Sequence, residues 1–423
     1  MDDIFISIAA YRDPELLPTV IDLFEKAKDP DRLSVCICWQ YGEDAYEQEF
    51  LSEIVKRGYS NIKLLKVPHT KSKGVCWARS IIQQYYNNEK YSMQLDSHHR
   101  FVKNWDQKLV TELKKLLKRG IKKPLLTAYI PSYEPSNDPE GRINLPWELK
   151  FDRFLPQGPA MPRPETIDDY KDIKQPIPAH LLSGHFIFTI AQHIKDVPYD
   201  PDFYFHGEEI SMAIRSYTSG YDMFYPHRVI VWHQYTRAGA TRHWDDYSGW
   251  GAKNEGSHSR YRQLVGQDDK TIDFGKYDIG TERSLQDYIE FSGINVSNKT
   301  VHPDTIAGKR VPVKYTSKTK KRKSKEFTGF FKYCIDLLKA DITVDDCDCW
   351  VIAFKNEAGE DIYRQDCDEN EIKRYQDENP DDQWYRIWRW YETNEEDPVN
   401  WIVWPHSKSK GWVDPIIRPI HSL

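Results

Sequence analysis

Long hydrophobic runs are missing from this chain of 423 residues. No stretch of about 18 consecutive apolar residues occurs, so neither a membrane span nor a membrane partner is expected. The chain begins with MDDIFISIAAYRD, which lacks a basic segment and gives no indication of a secretory signal peptide. A mean hydropathy of -0.72 and a charged fraction of 29% favour a protein that is surrounded by water.

Cysteine is also scarce, and its number, 7, is odd. Cys36 and Cys38 alternate along an apolar stretch, and the pair Cys347 and Cys349 lacks the second pair of a zinc ribbon. Reduced thiols in a cytoplasmic protein are therefore the simplest interpretation.

Positive charge is in deficit, since 59 Lys and Arg residues face 65 Asp and Glu residues and leave a net charge of -6. This balance argues against general nucleic-acid binding. Aromatic residues, in contrast, are plentiful. The 14 Trp and 26 Tyr residues are too many for a disordered chain and indicate packed cores or sugar-binding surfaces.

Apolar segments alternate with amphipathic helical patterns in the first third of the chain. Strands are predicted at residues 3–10, 33–40, 62–67, 92–95 and 124–130. This order predicts βαβ units, a parallel sheet and hence an α/β fold. Ligands of such sheets bind beyond the carboxyl ends of the strands, where a candidate site is therefore expected.

The rest of the chain changes character twice. Residues 131–178 are rich in proline and predict a long lid or binding loop, and residues 180–190 (HLLSGHFIFTI) predict a strand. The length predicts more than one domain. The expected division is an α/β domain at 1–265, an extension with a basic linker at 266–326, and an acidic, Trp-rich, β-rich module at 327–423.

The segment YSMQLDSHHRF, residues 91–101, contains the strongest candidate for a metal site. Asp96 and His98 follow a predicted strand, and residues two apart in an extended segment project to the same side. A carboxylate and an imidazole suit Mn²⁺ or Mg²⁺ when phosphate oxygens complete the coordination shell. A polar turn after a strand would have the same short pattern, so the surroundings must decide.

Two further features need the same explanation. Glu208 and Glu209 open a predicted helix, where acidic residues are also favoured by the helix dipole alone. Glu209 precedes Ala213 by four residues and should lean towards the buried side of that helix. His233 ends a strand predicted at residues 229–234, where a histidine is either a ligand or an ordinary polar residue.

Five segments in this order resemble the cytoplasmic hydroxyproline polypeptide N-acetylglucosaminyltransferases and their bacterial relatives. They are KGVCWARSIIQQYY, YSMQLDSHHRFVKNWD, LLSGHFIF, FHGEEISMAIRSYTSGYD and VIVWHQYTR. The mucin-type polypeptide GalNAc-transferases are more distantly similar and share a D-x-H pattern and a late metal-binding histidine. The resemblance covers residues 4–250, and the module at 327–423 lacks the repeated Q-x-W pattern of the mucin-type lectin domain.

The resemblance implies a fold of GT-A type, a nucleotide-binding α/β sandwich merged with an acceptor-binding half. It implies metal-dependent, retaining transfer of GlcNAc or a related sugar from a UDP-sugar to a hydroxyl acceptor. Asp96, His98 and His233 would hold the ion, Mn²⁺ or else Mg²⁺. In a retaining mechanism the leaving phosphate can take the acceptor proton, so Glu208 and Glu209 are expected to bind and position groups at the catalytic centre.

The resemblance also implies a set of residues that contact the nucleotide sugar. Ala9, Tyr11, Arg12 and Trp39 would line the uridine pocket, Gly74 and Ala78 would allow close approach of the backbone, Arg79 would contact a phosphate or orient Asp96, and Ser97, Gly184 and His185 would lie beside the donor.

Two other functions fit parts of the sequence. A metal-dependent hydrolase could use a histidine set made of His98, His99, His185, His206 and His233, although no H-E-x-x-H motif is present. A non-catalytic carbohydrate-binding protein could act through the Trp-rich module alone. The acceptor stays open among a protein hydroxyl, hydroxyproline, a surface glycan and a modified nucleobase. The donor stays open among UDP-GlcNAc, UDP-GalNAc and UDP-glucose.

Overall fold

The computed structural model describes residues 2–42, 47–237, 240–312, 323–378, 380–393 and 397–420. The strands of the first region are β1 (Ile4–Tyr11), β2 (Leu33–Tyr41), β3 (Ile62–Pro68), β4 (Tyr91–Asp96), β5 (His99–Phe101), β6 (Pro124–Thr127), β7 (Trp147–Phe154), β8 (Ala160–Thr166), β9 (Ile177–Pro178), β10 (Phe186–Ile190), β11 (Asp222–Tyr225) and β12 (Val231–His233). Its helices are α1 (Leu16–Lys26), α2 (Glu47–Lys56), α3 (Val75–Gln83), α4 (Trp105–Lys118), α5 (His193–Asp196), α6 (Glu208–Thr218), α7 (His243–Asp246) and α8 (Trp250–Val265). None of the helices in these ranges is long and apolar enough to cross a membrane.

Eight of these strands form one central sheet in the order β3-β2-β1-β4-β10-β6-β11-β9. Strands β1 to β4 are parallel to one another, and β6 is parallel to β11. The prediction of an α/β fold is thus confirmed. The sheet is mostly parallel in its first half, as predicted, but it is mixed as a whole, because β10 lies antiparallel between β4 and β6.

The apolar residues of the central sheet explain why its strands lie inside the molecule. In β1, seven of the eight residues are buried, since helices cover both faces of the sheet. Helix α1 packs through Leu16, Val20 and Leu23, which recur on one face and are fully buried. This burial fixes the carboxyl ends of β1 and β4 side by side, with Ala9 in register with Asp96.

The proline-rich segment is a β-hairpin rather than the predicted long loop. Strands β7 and β8 pair antiparallel, although β8 contains Pro162 and Pro164. Proline lacks the N–H that a central strand must donate, but β8 is an edge strand of a two-stranded sheet and tolerates it. The predicted strand over residues 180–190 is also shorter, since β10 begins at Phe186 and leaves residues 183–185 in the preceding turn.

The C-terminal module is β-rich, as predicted. Its elements and those of the extension are α9 (Leu285–Ser292), β13 (Ile294–Asn295), β14 (Thr300–Val301), α10 (Pro303–Ile306), β15 (Thr328–Leu338), β16 (Cys347–Lys355), β17 (Asp361–Arg364), β18 (Cys367–Asp368), α11 (Glu369–Glu378), β19 (Trp384–Glu392), β20 (Asn400–Ser407), β21 (Gly411–Trp412) and β22 (Ile416–Pro419). A separate hydrophobic core lies within this module, around Trp350, Phe354 and Ile387.

The extension is packed against the first region. The first hydrophobic core includes Val301 and Val311, and β14 pairs with β15 of the module. The division at residues 265 and 327 stays a prediction. Most of the basic run at residues 318–325 lies outside the described residues.

Candidate active site

A cavity of about 410 Å³ opens at the carboxyl ends of β1 and β4. It is the place where the α/β fold predicts a ligand. Thirteen of the residues that the sequence analysis assigned to a site line this cavity. They are Ala9, Tyr11, Gly74, Arg79, Asp96, Ser97, His98, Gly184, His185, His206, Glu208, Glu209 and His233.

Three of these side chains converge in a way that can hold a metal ion. Asp96, His98 and His233 each offer a ligand atom, and these atoms lie within 4.8 Å of one another. Asp96 Oδ2 is 3.8 Å from His98 Nε2 and 3.5 Å from His233 Nε2. One carboxylate oxygen and two imidazole nitrogens form a donor set that suits Mn²⁺.

His233 reaches this cluster from a distant part of the chain because β12 pairs with β5. The register places His233 opposite His99, three residues after Asp96. Burial lowers the pKa of His233 to about 3, so its ring is neutral at physiological pH. Neither of its ring nitrogens has a hydrogen-bond partner among the described residues. A buried imidazole without partners fits the requirement of a metal ligand.

Asp13 orients the ring of His98 and was not recognised from the sequence. His98 Nδ1 donates to Asp13 Oδ2 over 2.7 Å, which leaves Nε2 directed towards Asp96. Ser97 Oγ donates to the same carboxylate oxygen over 2.5 Å. Burial acts to raise the pKa of Asp13, but the hydrogen bond and charge of His98 outweigh it and hold the pKa well below its usual range. A carboxylate behind a ligating histidine is a common support of metal sites.

His99 stabilises the turn that carries Asp96. Its Nδ1 donates to the carbonyl of Trp232 over 3.0 Å, and its Nε2 accepts the backbone N–H of Asp96 over 3.3 Å. Burial keeps its pKa well below the usual value, so the neutral ring can fill both roles. Because both nitrogens are occupied, His99 is a positioning residue and not a candidate ligand.

Arg79 connects Asp96 with Glu208 through a buried ion pair on each side. Its Nη2 donates to Asp96 Oδ1 over 2.9 Å, and its Nη1 donates to Glu208 Oε1 over 2.5 Å. Tyr199 also donates to Glu208 Oε1, over 2.7 Å. Of the two roles predicted for Arg79, the structure shows the contact that orients Asp96.

Glu209 differs from its neighbour because its carboxylate lies next to a backbone N–H and not next to a cation. Gly184 N donates to Glu209 Oε1 over 2.7 Å. Burial, with a smaller contribution from the charge of Glu208, raises the pKa of Glu209 to about 7. The side chain can therefore accept or donate a hydrogen bond near neutral pH.

Two glycines allow the close packing around the cavity. A Cβ at Gly184 would lie 2.8 Å from Glu208 Oε1 and 2.9 Å from Arg79 Nη1, so a larger residue would disturb the ion pair. Gly74 has a φ of 111°, and a Cβ there would lie 2.8 Å from the ring of Tyr204. His185 completes this wall, with Nδ1 2.7 Å from Ser183 Oγ.

Three predicted nucleotide contacts are placed elsewhere. Trp39 packs in the core against Phe50 and is 2% exposed, because successive strand residues face opposite sides; Gln40 lines the cavity instead. Ala78 is fully buried in the packing between α3 and the sheet. Arg12 does not line the cavity and pairs with Asp246 of α7 over 2.9 Å.

The cavity is closed by residues that the sequence analysis did not single out. Trp244 packs against Phe205, and Tyr204 OH lies 2.7 Å from His243 Nδ1. Tyr11 OH donates to Asp246 over 2.7 Å and connects this segment to β1. Aromatic residues outside a regular pattern gave no signal that they would meet here.

Of the histidine set considered for a hydrolase, only part meets at one point. The His185 and His233 rings are 4.3 Å apart and those of His98 and His233 are 4.6 Å apart. His206 instead stacks on His258 at 5.7 Å.

The sequence matches the family described as Glycosyltransferase (GlcNAc) over residues 3–48 and 42–298. These segments cover well over half of the chain and include the whole of the Asp96 cluster. The chain therefore belongs to the Glycosyltransferase (GlcNAc) family, and no curated protein matches it.

Several solved structures are similar to the chain at low sequence identity. GalNAc-T7 with UDP, GalNAc and Mn²⁺ has 17% identity and a TM-score of 0.47, over 75% of this chain and 53% of that chain. TarS 1-349 of S. aureus with UDP-GlcNAc has 11% identity and a TM-score of 0.40, over 68% of this chain and 70% of that chain. The mannosyltransferase PcManGT from Pyrobaculum calidifontis with GDP-Man and Mn²⁺ has 11% identity and a TM-score of 0.37, over 62% and 61% of the two chains. The chain thus spans about half the length of the GalNAc-T7 chain that it matches.

Proposed function

We propose that this chain is a metal-dependent glycosyltransferase that moves GlcNAc, or a related sugar, from a UDP-sugar to a hydroxyl acceptor with retention of configuration. The observation that carries the proposal is the convergence of Asp96, His98 and His233 in the cavity of a chain that belongs to a GlcNAc glycosyltransferase family. Membership of this family favours transfer over hydrolysis and over binding without catalysis.

The ion that we assign to the three side chains is Mn²⁺, with Mg²⁺ as the second choice. Such an ion, when bound, offsets negative charge that develops on the departing diphosphate. Asp13 holds the His98 ring with Nε2 facing Asp96, and Arg79 fixes the second oxygen of Asp96. The protein thereby orients two of the three ligand side chains, Asp96 and His98, before the donor enters.

The remaining lining residues divide between the nucleotide and the sugar. Ala9, Tyr11 and Ser97 lie at the end of β1 and at the Asp96 turn, and we assign them to the UDP part. Gly184 lies beside Glu208 and the His185 ring lies 4.3 Å from that of His233, and we assign both residues to the donor sugar. This division follows the family resemblance.

The two glutamates receive different tasks. Glu208 is held by Arg79 and Tyr199, which fits a role in keeping the cavity in shape. Glu209 lacks a cation partner among the contacts described above and can hold a sugar or acceptor hydroxyl. The leaving phosphate would take the acceptor proton, so no separate general base is assigned. The cytoplasmic location and the UDP-sugar donor belong to the same proposal.

The test is a measurement of UDP release from UDP-GlcNAc, UDP-GalNAc and UDP-glucose with Mn²⁺, with Mg²⁺ and with EDTA. We expect UDP-GlcNAc with Mn²⁺ to give the fastest release and EDTA to abolish it. Asp96→Asn should reduce the rate more than about 100-fold, beyond the range typical of groups that only support a ligand. Asp31→Asn, the same chemical change at an exposed position outside the cavity, should leave the rate unchanged.

Full activity in EDTA or in Asp96→Asn would contradict the proposed metal centre. Retention is tested separately by NMR, since the first anomer released by slow donor hydrolysis should have the configuration of the donor. Release of the opposite anomer would contradict the retaining mechanism while leaving the metal centre intact.

A further inference from the structure

A second cleft, of about 580 Å³, lies between the first region and the C-terminal module. It shares no lining residue with the candidate active site. One wall is the end of β7 with the turn after it, including Arg153 and Phe154, and the other wall is formed by β15 and β19. The proposed transferase activity does not use this cleft.

Strand β19 presents tryptophans to this cleft because its side chains alternate. Ile387 and Arg389 face the core of the module and are buried, whereas Trp384 and Trp388 line the cleft. Trp388 is 38% exposed, which is a large fraction for a residue type that is highly buried on average. The two indoles are four residues apart on one strand face, which corresponds to ~13 Å. Exposed aromatic surface that lines a cleft is a feature of binding sites.

Charged groups surround these indoles, and each cation already has an acidic partner. Arg153 and Lys332 lie 5.4 and 5.0 Å from the ring of Trp388 and both pair with Asp152. On the other side, Arg386 pairs with Asp382 and Arg418 pairs with Asp341. The cleft thus carries hydrogen-bond donors and acceptors without an unpaired positive charge that would attract an anion.

We propose that this cleft binds a neutral oligosaccharide. A pyranose ring has an apolar C–H face, which matches the exposed indole surface of Trp388, and a rim of hydroxyls, which both donate and accept hydrogen bonds. The paired ions of Arg386 and Arg418 offer both kinds of partner. A polyanion would need the unpaired cations that the lining lacks, and a nonpolar peptide would leave these charged groups desolvated.

The test measures binding of the full-length chain to chitohexaose, cellohexaose and maltohexaose by isothermal titration calorimetry in EDTA, without UDP-sugar. Hexagalacturonate serves as the anionic comparator. We expect at least one neutral hexasaccharide to bind. Trp388→Ala should weaken that binding about 10-fold or more, which corresponds to about 1.4 kcal/mol, and Trp388→Phe should retain most of it.

Trp412→Ala is the matched control, because Trp412 is an exposed tryptophan of the same module that does not line the cleft. It should bind the hexasaccharide like the unchanged protein. Absence of binding to all three neutral sugars, stronger binding of hexagalacturonate, or equal binding by Trp388→Ala would each overturn the proposal. Since the assay contains neither donor nor metal, its outcome is independent of the proposed transferase activity.

Discussion

The two regions of this chain depart from ordinary burial in opposite ways. In the α/β region, polar side chains such as Arg79, His98 and His233 are buried around a cavity. In the C-terminal module, Trp388 and Trp390, on one face of β19, are 38% and 58% exposed. Buried polar groups need partners, and exposed aromatic area needs a cover. This contrast fits the two ligands proposed above, a nucleotide sugar with a metal ion in the α/β region and a neutral oligosaccharide at the surface of the module.

The contrast between the two regions depends first on His233 being a metal ligand and not a structural residue. His233→Ala should weaken Mn²⁺ affinity at least 10-fold, since loss of a ligand exceeds the smallest effects of supporting groups. Metal titration of UDP release measures this, and high Mn²⁺ should restore activity.

His193→Ala is the control for this change, because His193 is equally buried but bonds to Ser216 over 2.9 Å. It should lower the melting temperature and leave the metal dependence unchanged. If His233→Ala behaves in the same way, His233 is not a ligand.

A change at Asp13 tests whether the residues behind the ligands preorganise the metal site. Asp13→Asn should weaken Mn²⁺ affinity about 10-fold, at the low end for a group behind a ligating histidine, because the His98 ring loses its charged acceptor. Asp22→Asn is the matched control on α1, since the Asp22 carboxylate accepts the backbone N–H of Phe101 and does not line the cavity. Equal effects of both changes would indicate a general loss of stability.

The raised pKa of Glu209 predicts a pH-dependent cost of burial. Its folded pKa of about 7 lies above the usual value of 4.5, so the folded state binds the proton more tightly. The contribution of this proton to the stability of the folded state is complete below pH 4.5 and is lost as the pH rises through 7. Glu209→Gln should remove this loss and raise the free energy of unfolding at pH 8 by ~2 kcal/mol relative to the unchanged protein.

Denaturant unfolding of the ligand-free protein at pH 4.5 and pH 8 measures this difference. Glu49→Gln, on the exposed surface of α2, is the control and should give no such change. A constant offset at both pH values would contradict the raised pKa.

The smallest effect is expected at the exposed tryptophans. Trp390→Ala should change the free energy of unfolding by less than ~0.5 kcal/mol, as for most surface substitutions. Trp350→Ala, in the core of the same module, should cost about 3–5 kcal/mol. Chemical denaturation of both variants tests this contrast. A large loss for Trp390→Ala would mean that its indole stabilises the fold and is not available to a ligand.

Local sequence patterns were sufficient to predict much of the fold and the centre of the candidate site. Alternating strands and helices placed Asp96 at a strand end, and the short D-x-H spacing placed His98 beside it. The orientation of β10 was beyond such patterns, because it depends on the path of the chain through the β7–β8 hairpin. The prolines of this segment argued against a strand in the sequence, because proline removes a hydrogen bond from a central strand but is tolerated in an edge strand.

At the site itself, contacts between distant segments were the part that the sequence could not predict. Asp13 meets His98 across 85 residues, and no spacing in the sequence marks such a pair. Trp39 was assigned to the cavity, but its neighbour Gln40 lines it instead. A shift of one residue along a strand moves the side chain to the opposite face of the sheet. The family resemblance, and not periodicity, connected His233 with Asp96.

The β7–β8 hairpin has one more consequence, because it is a wall that the two ligand sites share. Arg153 lines the cleft and is in register with Met161, which lines the active-site cavity. A ligand that displaces one strand of a hydrogen-bonded pair displaces the other. By thermodynamic reciprocity, the factor by which a ligand in the cleft changes the donor affinity equals the factor by which the donor changes the affinity of the cleft.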